Sequence, residues 1–216
     1  MRDRRPLIVG AAVVALVVAV VVAVGMANPP RKGVLLSDRL GPEQGEQVAA
    51  YVERAAVSLG KADGDRYALV SLTAELTPAD AARLADGVRV SQVSYRVPMP
   101  RVQTPLVTVG VGAGPEALIR SAGYAAGQVG AASTDRGARI NAVSASRIGS
   151  GCACVVALTV RAGTDRLIEL EARPRVRAVE ALPVDAVFGR FAVAPLLPEQ
   201  VDVVEPGPDD GEILPN

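Results

Sequence analysis

The chain contains no histidine and no tryptophan, has two cysteines, and is only 3% aromatic over 216 residues. Each shortage closes off a class of chemistry. Without histidine there is no Ser-His-Asp or Cys-His nucleophile. A structural zinc site takes four ligands, typically Cys or His, and would find two. A Ser–Lys dyad would have to use Lys61, in a polar loop, or Lys32, beside a long apolar run. Neither position supplies the burial that lowers a lysine pKa. So few aromatic rings cannot line a typical sugar-stacking cleft. The neighbouring acids Glu169 and Glu171, two apart on a predicted helix, diverge. A surplus of one charge is also missing: 23 Lys and Arg balance 23 Asp and Glu. No net field therefore recruits nucleic acid. We assign no catalytic residue, cofactor or metal from the sequence, and expect no enzyme.

What is present is aliphatic. Half of the chain is apolar, so a core must be built from Val, Ala and Leu. The abundance of Ala, Val, Gly and Arg resembles the composition of proteins from high-GC bacteria such as actinobacteria. Charge is unevenly placed. Arg2, Arg4, Arg5, Arg31 and Lys32 flank the first apolar run, while Glu199, Asp202, Glu205, Asp209, Asp210 and Glu212 crowd the end. Residues 196–216 thus read as an acidic, Pro/Gly-rich disordered tail.

The first apolar run, LIVGAAVVALVVAVVVAVGMA at residues 7–27, carries no charged or strongly polar side chain. At about 1.5 Å per residue it spans a hydrocarbon core of about 30 Å. A small soluble domain could not bury such a helix on every side. The reading is a single-pass transmembrane helix embedded in the lipid bilayer. Arg2, Arg4 and Arg5 hold residues 1–6 in the cytoplasm by the positive-inside rule, which places the C-terminus outside. A cleaved signal peptide, with Gly25 and Ala27 before the cut, is the competing reading. Its apolar stretch would exceed the usual length of about 7–15 residues. Both readings export the remainder of the chain.

Residues 28–40, opening on Pro29 and Pro30, form an extended linker. An extracytoplasmic domain is expected over 41–195. Gly41 and Pro42 suit a helix start, Val48, Val52, Ala55 and Leu59 recur at helical spacing, and Gly60 suits the end. YALVSLTAEL at 67–76 alternates as a half-buried strand. Thr77 and Pro78 open a short helix ending at Gly87, and VRVSQVSYRV at 88–97 is another strand, completing a β-α-β unit.

The segment from Cys152 to Pro183 repeats that plan. A shift of 86 positions superposes Ala68, Val70, Leu72, Ala74 and Leu76 on Cys154, Val156, Leu158, Val160 and Ala162. The same shift pairs Thr73 with Thr159, Leu84 with Leu170, Val90 with Val176 and Val93 with Val179, whereas the caps Thr77 and Thr164 need a slip of one. Two such units predict an α+β fold: a duplicated, ferredoxin-like four-stranded sheet with helices on one face, plus additional helices. Pro174, Val176, Arg177, Ala178, Val179 and Glu180, with Arg175 where glycine is preferred, resemble the PGVRAVE-like strand of the propeptide-inhibitor type of ferredoxin-like domain. The resemblance covers about ten residues and implies fold alone.

Between the halves, Pro98, Pro100 and Pro105 predict an extended edge. Gly110, Gly112 and Gly114 read as a strand-to-helix turn rather than a phosphate cradle, because the spacing departs from G-x-G-x-x-G. Leu118, Ala122, Ala125 and Val129 share a helical face, and Gly123, Gly127 and Gly130 give a small-residue surface. That surface either packs tightly on the domain's own sheet or forms a self-association face through Gly123 and Gly127.

Cys152 and Cys154 stand at the start of a predicted strand. In an extended strand their Cα atoms would lie about 6.5–7 Å apart, at the edge of disulfide reach. A disulfide needs the strand to distort, or to begin after Cys152. Reduced buried thiols and a two-thiolate copper(I) or redox site are the other readings. The expectation is a membrane-anchored binding or scaffolding protein of the bacterial cell envelope, with an envelope protein partner. The alternative is an envelope thiol-redox or copper-handling protein using Cys152 and Cys154. Pro98, Pro100, Arg101 and Pro105, together with Pro195 and Pro198, mark candidate contact segments, since a fixed φ lowers the cost of ordering.

Overall fold

The computed structural model describes residues 17–18, 38–60, 62 and 64–214. The segments expected to be a cytoplasmic N-terminus (1–6) and a transmembrane helix (7–27, apart from Val17 and Val18), and most of the expected linker, lie outside the described residues. Among those described, no helix is long and apolar enough to cross a membrane. The chain divides into two compact units, Met1–Leu35 and Leu36–Asn216.

The second unit is a mixed α+β fold. Strand β1 (Asp38–Leu40) precedes α1 (Val48–Ser58), then β2 (Arg66–Leu76), α2 (Pro78–Leu84) and β3 (Arg89–Tyr95). Next come β4 (Val107–Gly110), α3 (Pro115–Gly127) and α4 (Asp135–Gly149). The chain continues through β5 (Val155–Ala162), α5 (Thr164–Glu171), β6 (Val176–Ala181) and β7 (Phe191–Val193). Five strands make one sheet in the order β4-β3-β5-β2-β6, and every neighbouring pair is antiparallel. β1 and β7 form a separate parallel pair.

One face of the sheet is covered by helices. Val70, Leu72, Val93, Leu158, Val160 and Val179 pack there with Ala81 of α2, Leu118 and Ala122 of α3, Ile148 of α4 and Leu167 of α5. The Thr77 hydroxyl accepts the Asp80 amide and caps α2, with Pro78 in its first turn. Helix α4 was not anticipated. Its signals are the Thr134 cap, which accepts from the Gly137 amide, and Ile140, Ser144 and Ile148 at helical spacing. The arginines and alanines between them mask that pattern.

The second face is covered too, which corrects the expectation of helices on one side and half-buried strands. Val48, Tyr51 and Ala55 of α1 pack with Ala178, Leu196 and Val204. Leu40, Leu69, Ala157, Leu182 and Phe191 form a third cluster. Helix α1 begins at Val48 rather than at Gly41. Gly41 adopts φ +107, and a Cβ there would sit 1.7 Å from the Ala194 carbonyl oxygen. Close approach of backbone requires this glycine, not a helix start.

The expected disordered tail is also corrected. Leu196 is buried, Val48 N–H donates to the Asp202 carbonyl, Gly45 N–H to the Val204 carbonyl, and Val204 N–H to the Glu46 carbonyl. Apolar Leu196, Val204 and Ile213, set among the acids, supply the purchase that composition alone hides. The C-terminal segment accordingly belongs to the second unit.

Candidate functional site

The two cysteines lie in a short irregular segment between α4 and β5, and the regular strand begins at Val155. Cys152 N–H donates to the Arg147 carbonyl, Cys154 N–H to the Leu76 carbonyl, and Arg96 N–H to the Cys154 carbonyl. These bonds hold the Cα atoms 5.3 Å apart, closer than in an extended strand, and the sulfurs are joined. Cys154 is buried in the core and Cys152 is partly buried against it. Among the described residues no group of three or more His, Cys, Asp or Glu side chains is placed to hold a metal ion.

The proline-marked stretches are placed differently from a free contact strip. Val97, Met99 and Val102 are core residues, leaving Pro98, Pro100 and Arg101 exposed, while Pro105 is partly buried. Pro195 is buried and Pro198 partly so. The partner of these stretches is the chain's own acidic end. Arg101 donates to both Asp210 carboxylate oxygens, at 2.7 and 2.5 Å, and Arg96 pairs with Glu199. Gln103 donates its backbone N–H to Asp209 and its amide nitrogen to the Gly207 carbonyl. Gly211 N–H meets the Arg101 carbonyl at 2.7 Å, so close that a Cβ on Gly211 would lie 2.3 Å from the Pro100 carbonyl oxygen. Residues 207–211 thus form a strap beside a groove of about 640 Å³ lined by Arg96, Pro98, Met99, Pro100, Glu199 and Pro208. The Arg101 guanidinium holds the Asp210 carboxyl below its ordinary value of 3.8, and burial pulls the Arg96 pKa down.

On α3 the buried face carries Leu118, Ser121, Ala122 and Ala125. Gly123, Gly127 and Gly130 are exposed, and a Cβ on any of them meets nothing within 4 Å. They do not pack on the domain's own sheet, which removes the tight-packing reading.

A buried polar cluster was missed from sequence. Glu180 of β6, expected only as part of a strand, accepts the Gly41 amide at 2.5 Å and pairs with Arg54, which also meets Glu46 at 3.1 Å. The Tyr51 hydroxyl is buried nearby, beside Glu180 and the Ser71 hydroxyl. Burial, and then the Glu180 charge, drive its pKa far up. This cluster ties α1, β1 and β6 together. Its hydroxyl stays protonated and its carboxylate is committed to partners, so its role is to hold the second face closed. No protein-family model matches the chain, and neither curated proteins nor solved structures provide a match.

Proposed function

We propose that this chain is a single-pass membrane protein whose folded domain lies outside the cytoplasm and acts by binding or scaffolding in the bacterial cell envelope. The observation that carries the reading is the uncharged apolar run at residues 7–27, preceded by Arg2, Arg4 and Arg5. Transfer of that run into lipid is favourable, and the arginines resist crossing. An oxidised Cys152–Cys154 pair agrees with an exported domain. The polar clusters described above are engaged with one another, which suits a domain that presents surfaces rather than one that turns over a substrate.

We further infer a duplicated, ferredoxin-like core. Its support is the strand order β3-β5-β2-β6 and the correspondence of parts at a shift of 86. Helices α2 and α5 begin at Pro78 and Thr164, and their caps, Thr77 and Gly163, correspond without the slip expected for Thr164. Thr164 is instead occupied with Arg66 and the Ala62 carbonyl. Ala81 and Leu167, one shift apart, are both core residues. Ser71 pairs with Ala157, its own counterpart, so a local two-fold relating the halves would pass between β2 and β5 at that pair.

The test is site-specific crosslinking in intact membranes, from positions on the groove and on the exposed face of α3. One neighbour captured repeatedly supports the reading, and that neighbour being a second copy would identify the Gly123/Gly127 face as a self-association surface. A smear of unrelated partners from every position would sink it. Copper titration of the full chain before and after reduction separates the thiol alternative: stoichiometric copper(I) binding would favour that alternative instead.

A further inference from the structure

Arg89 of β3 and Arg161 of β5 stand directly opposite one another in the sheet, and Arg161 is opposite Tyr67 of β2. Like charges in opposed positions of an antiparallel pair repel. Neither guanidinium meets a carboxylate among the described residues. Arg89 donates to the Val111 and Gly112 carbonyls, and Arg161 lies 5.6 Å from the centre of the Tyr67 ring. The cavity between them, about 400 Å³, is lined also by Ser91, Gly110 and Phe188, with no acidic residue in its wall. These contacts hold the two side chains but neutralise neither charge, which an anion in the cavity would do.

Phe188 belongs to the loop PVDAVFGR, residues 183–190, which exposes Val184 (53%), Val187 (53%) and Phe188 (45%) at its surface. The loop is held by turns from Ala186 to Pro183 and from Arg190 to Val187. The Phe188 ring lies 5.8 Å from Tyr67, which fixes its base. The loop contributes Arg190 and a single acid, Asp185. An ordered apolar tip beside unneutralised guanidinium groups suits an interface of hydrocarbon and phosphate. Position in the chain agrees. β1 and β7 are parallel, with Asp38 opposite Phe191, so the chain comes into the domain where this loop ends. Residues 28–37 separate Asp38 from the apolar run, a reach of at most about 36 Å when extended.

We propose that this end of the domain docks on the membrane that anchors the chain. Val184, Val187 and Phe188 enter the headgroup layer, and Arg89 and Arg161 bind the phosphate of anionic phospholipid. The proposal rests on the anchor reading above.

The chain has no tryptophan, so Val17→Trp and Phe188→Trp each place one reporter in the full chain. Each variant is reconstituted in nanodiscs of phosphatidylcholine, alone or with phosphatidylglycerol, with and without doxyl-labelled lipid. Val17→Trp is expected to be quenched in both. Phe188→Trp is expected to be quenched and blue-shifted with phosphatidylglycerol, and each of Arg89→Gln and Arg161→Gln to lower the docked population about fivefold. Quenching at position 17 without quenching at 188 overturns docking and leaves the anchor standing. No quenching at 17 overturns both. A Phe188→Trp response to inorganic phosphate that is as large in phosphatidylcholine discs would assign the arginines to a soluble anion and overturn the lipid assignment.

Discussion

On one face of the central sheet, Val70, Leu72, Val93, Leu158 and Val179 pack beneath helices. On the other, register aligns Thr108, Ser94, Ala157, Ser71 and Ala178 across all five strands. The first face is filled by bulk, and the second carries this row of small side chains and hydroxyls beside the larger Leu69 and Tyr67. That difference decides how each is covered. Branched aliphatic side chains hold helices at a distance and gain from buried area. Small side chains let α1 and the β1–β7 pair come close, and a few polar anchors then fix their position. Serine and threonine in alternation look like solvent-facing positions, which is why the second face reads as exposed until its cover is seen.

The sharpest way to break this comparison is to cut the same strand system on opposite faces. Leu158→Ala should lose about 2–5 kcal/mol in equilibrium denaturation, since its neighbours cannot close the cavity. Ser71→Ala should lose no more than about 1 kcal/mol, because it removes a single hydroxyl beside that of Tyr51 and opens no large cavity. Equal losses at both positions would show that the second face is packed as tightly as the first.

Glu180→Ala tests the anchor of the second face. It strands the Gly41 amide and deprives Arg54 of its inner partner, while Arg54 remains 46% exposed and can rehydrate. The expected loss is about 1–3 kcal/mol by denaturant melts, with Glu180→Gln costing less because one acceptor remains.

The smallest effect belongs to the strap. Its ion pairs are exposed, and such pairs contribute little to stability and weaken with salt. Asp210→Asn should leave global stability nearly unchanged while speeding amide exchange at Gln103 and Gly211. The carboxyl pKa is depressed in the fold, so the contribution of Asp210 is present above its ordinary value of 3.8 and is lost as pH falls through its lower folded value. Exchange at Gly211 that is indifferent to both the substitution and acid would show that the apolar contact of Ile213, not charge, holds the strap.

Much of the fold was legible where one signal dominated. The alternation from Ala68 to Leu76 marked β2, and Thr77 and Pro78 marked α2. The shortfalls share a cause. α4, the polar second face and the returning acidic segment are each stabilised by tertiary partners, so their local composition resembles solvent-exposed chain. Of the candidate site, Cys152 and Cys154 were visible, and Arg101 with its neighbouring prolines was marked as a contact segment. Its partner was not, because Asp210 is over a hundred positions away. The opposition of Arg89 to Arg161 depends on register and has no trace in sequence spacing.

The central claim is that the folded domain lies beyond the bilayer. It is tested most directly by paired fusions after Asn216, one to a phosphatase active only after export and one to a fluorescent protein that matures only in the cytoplasm. The account predicts phosphatase activity without fluorescence. Fluorescence without phosphatase activity would contradict it.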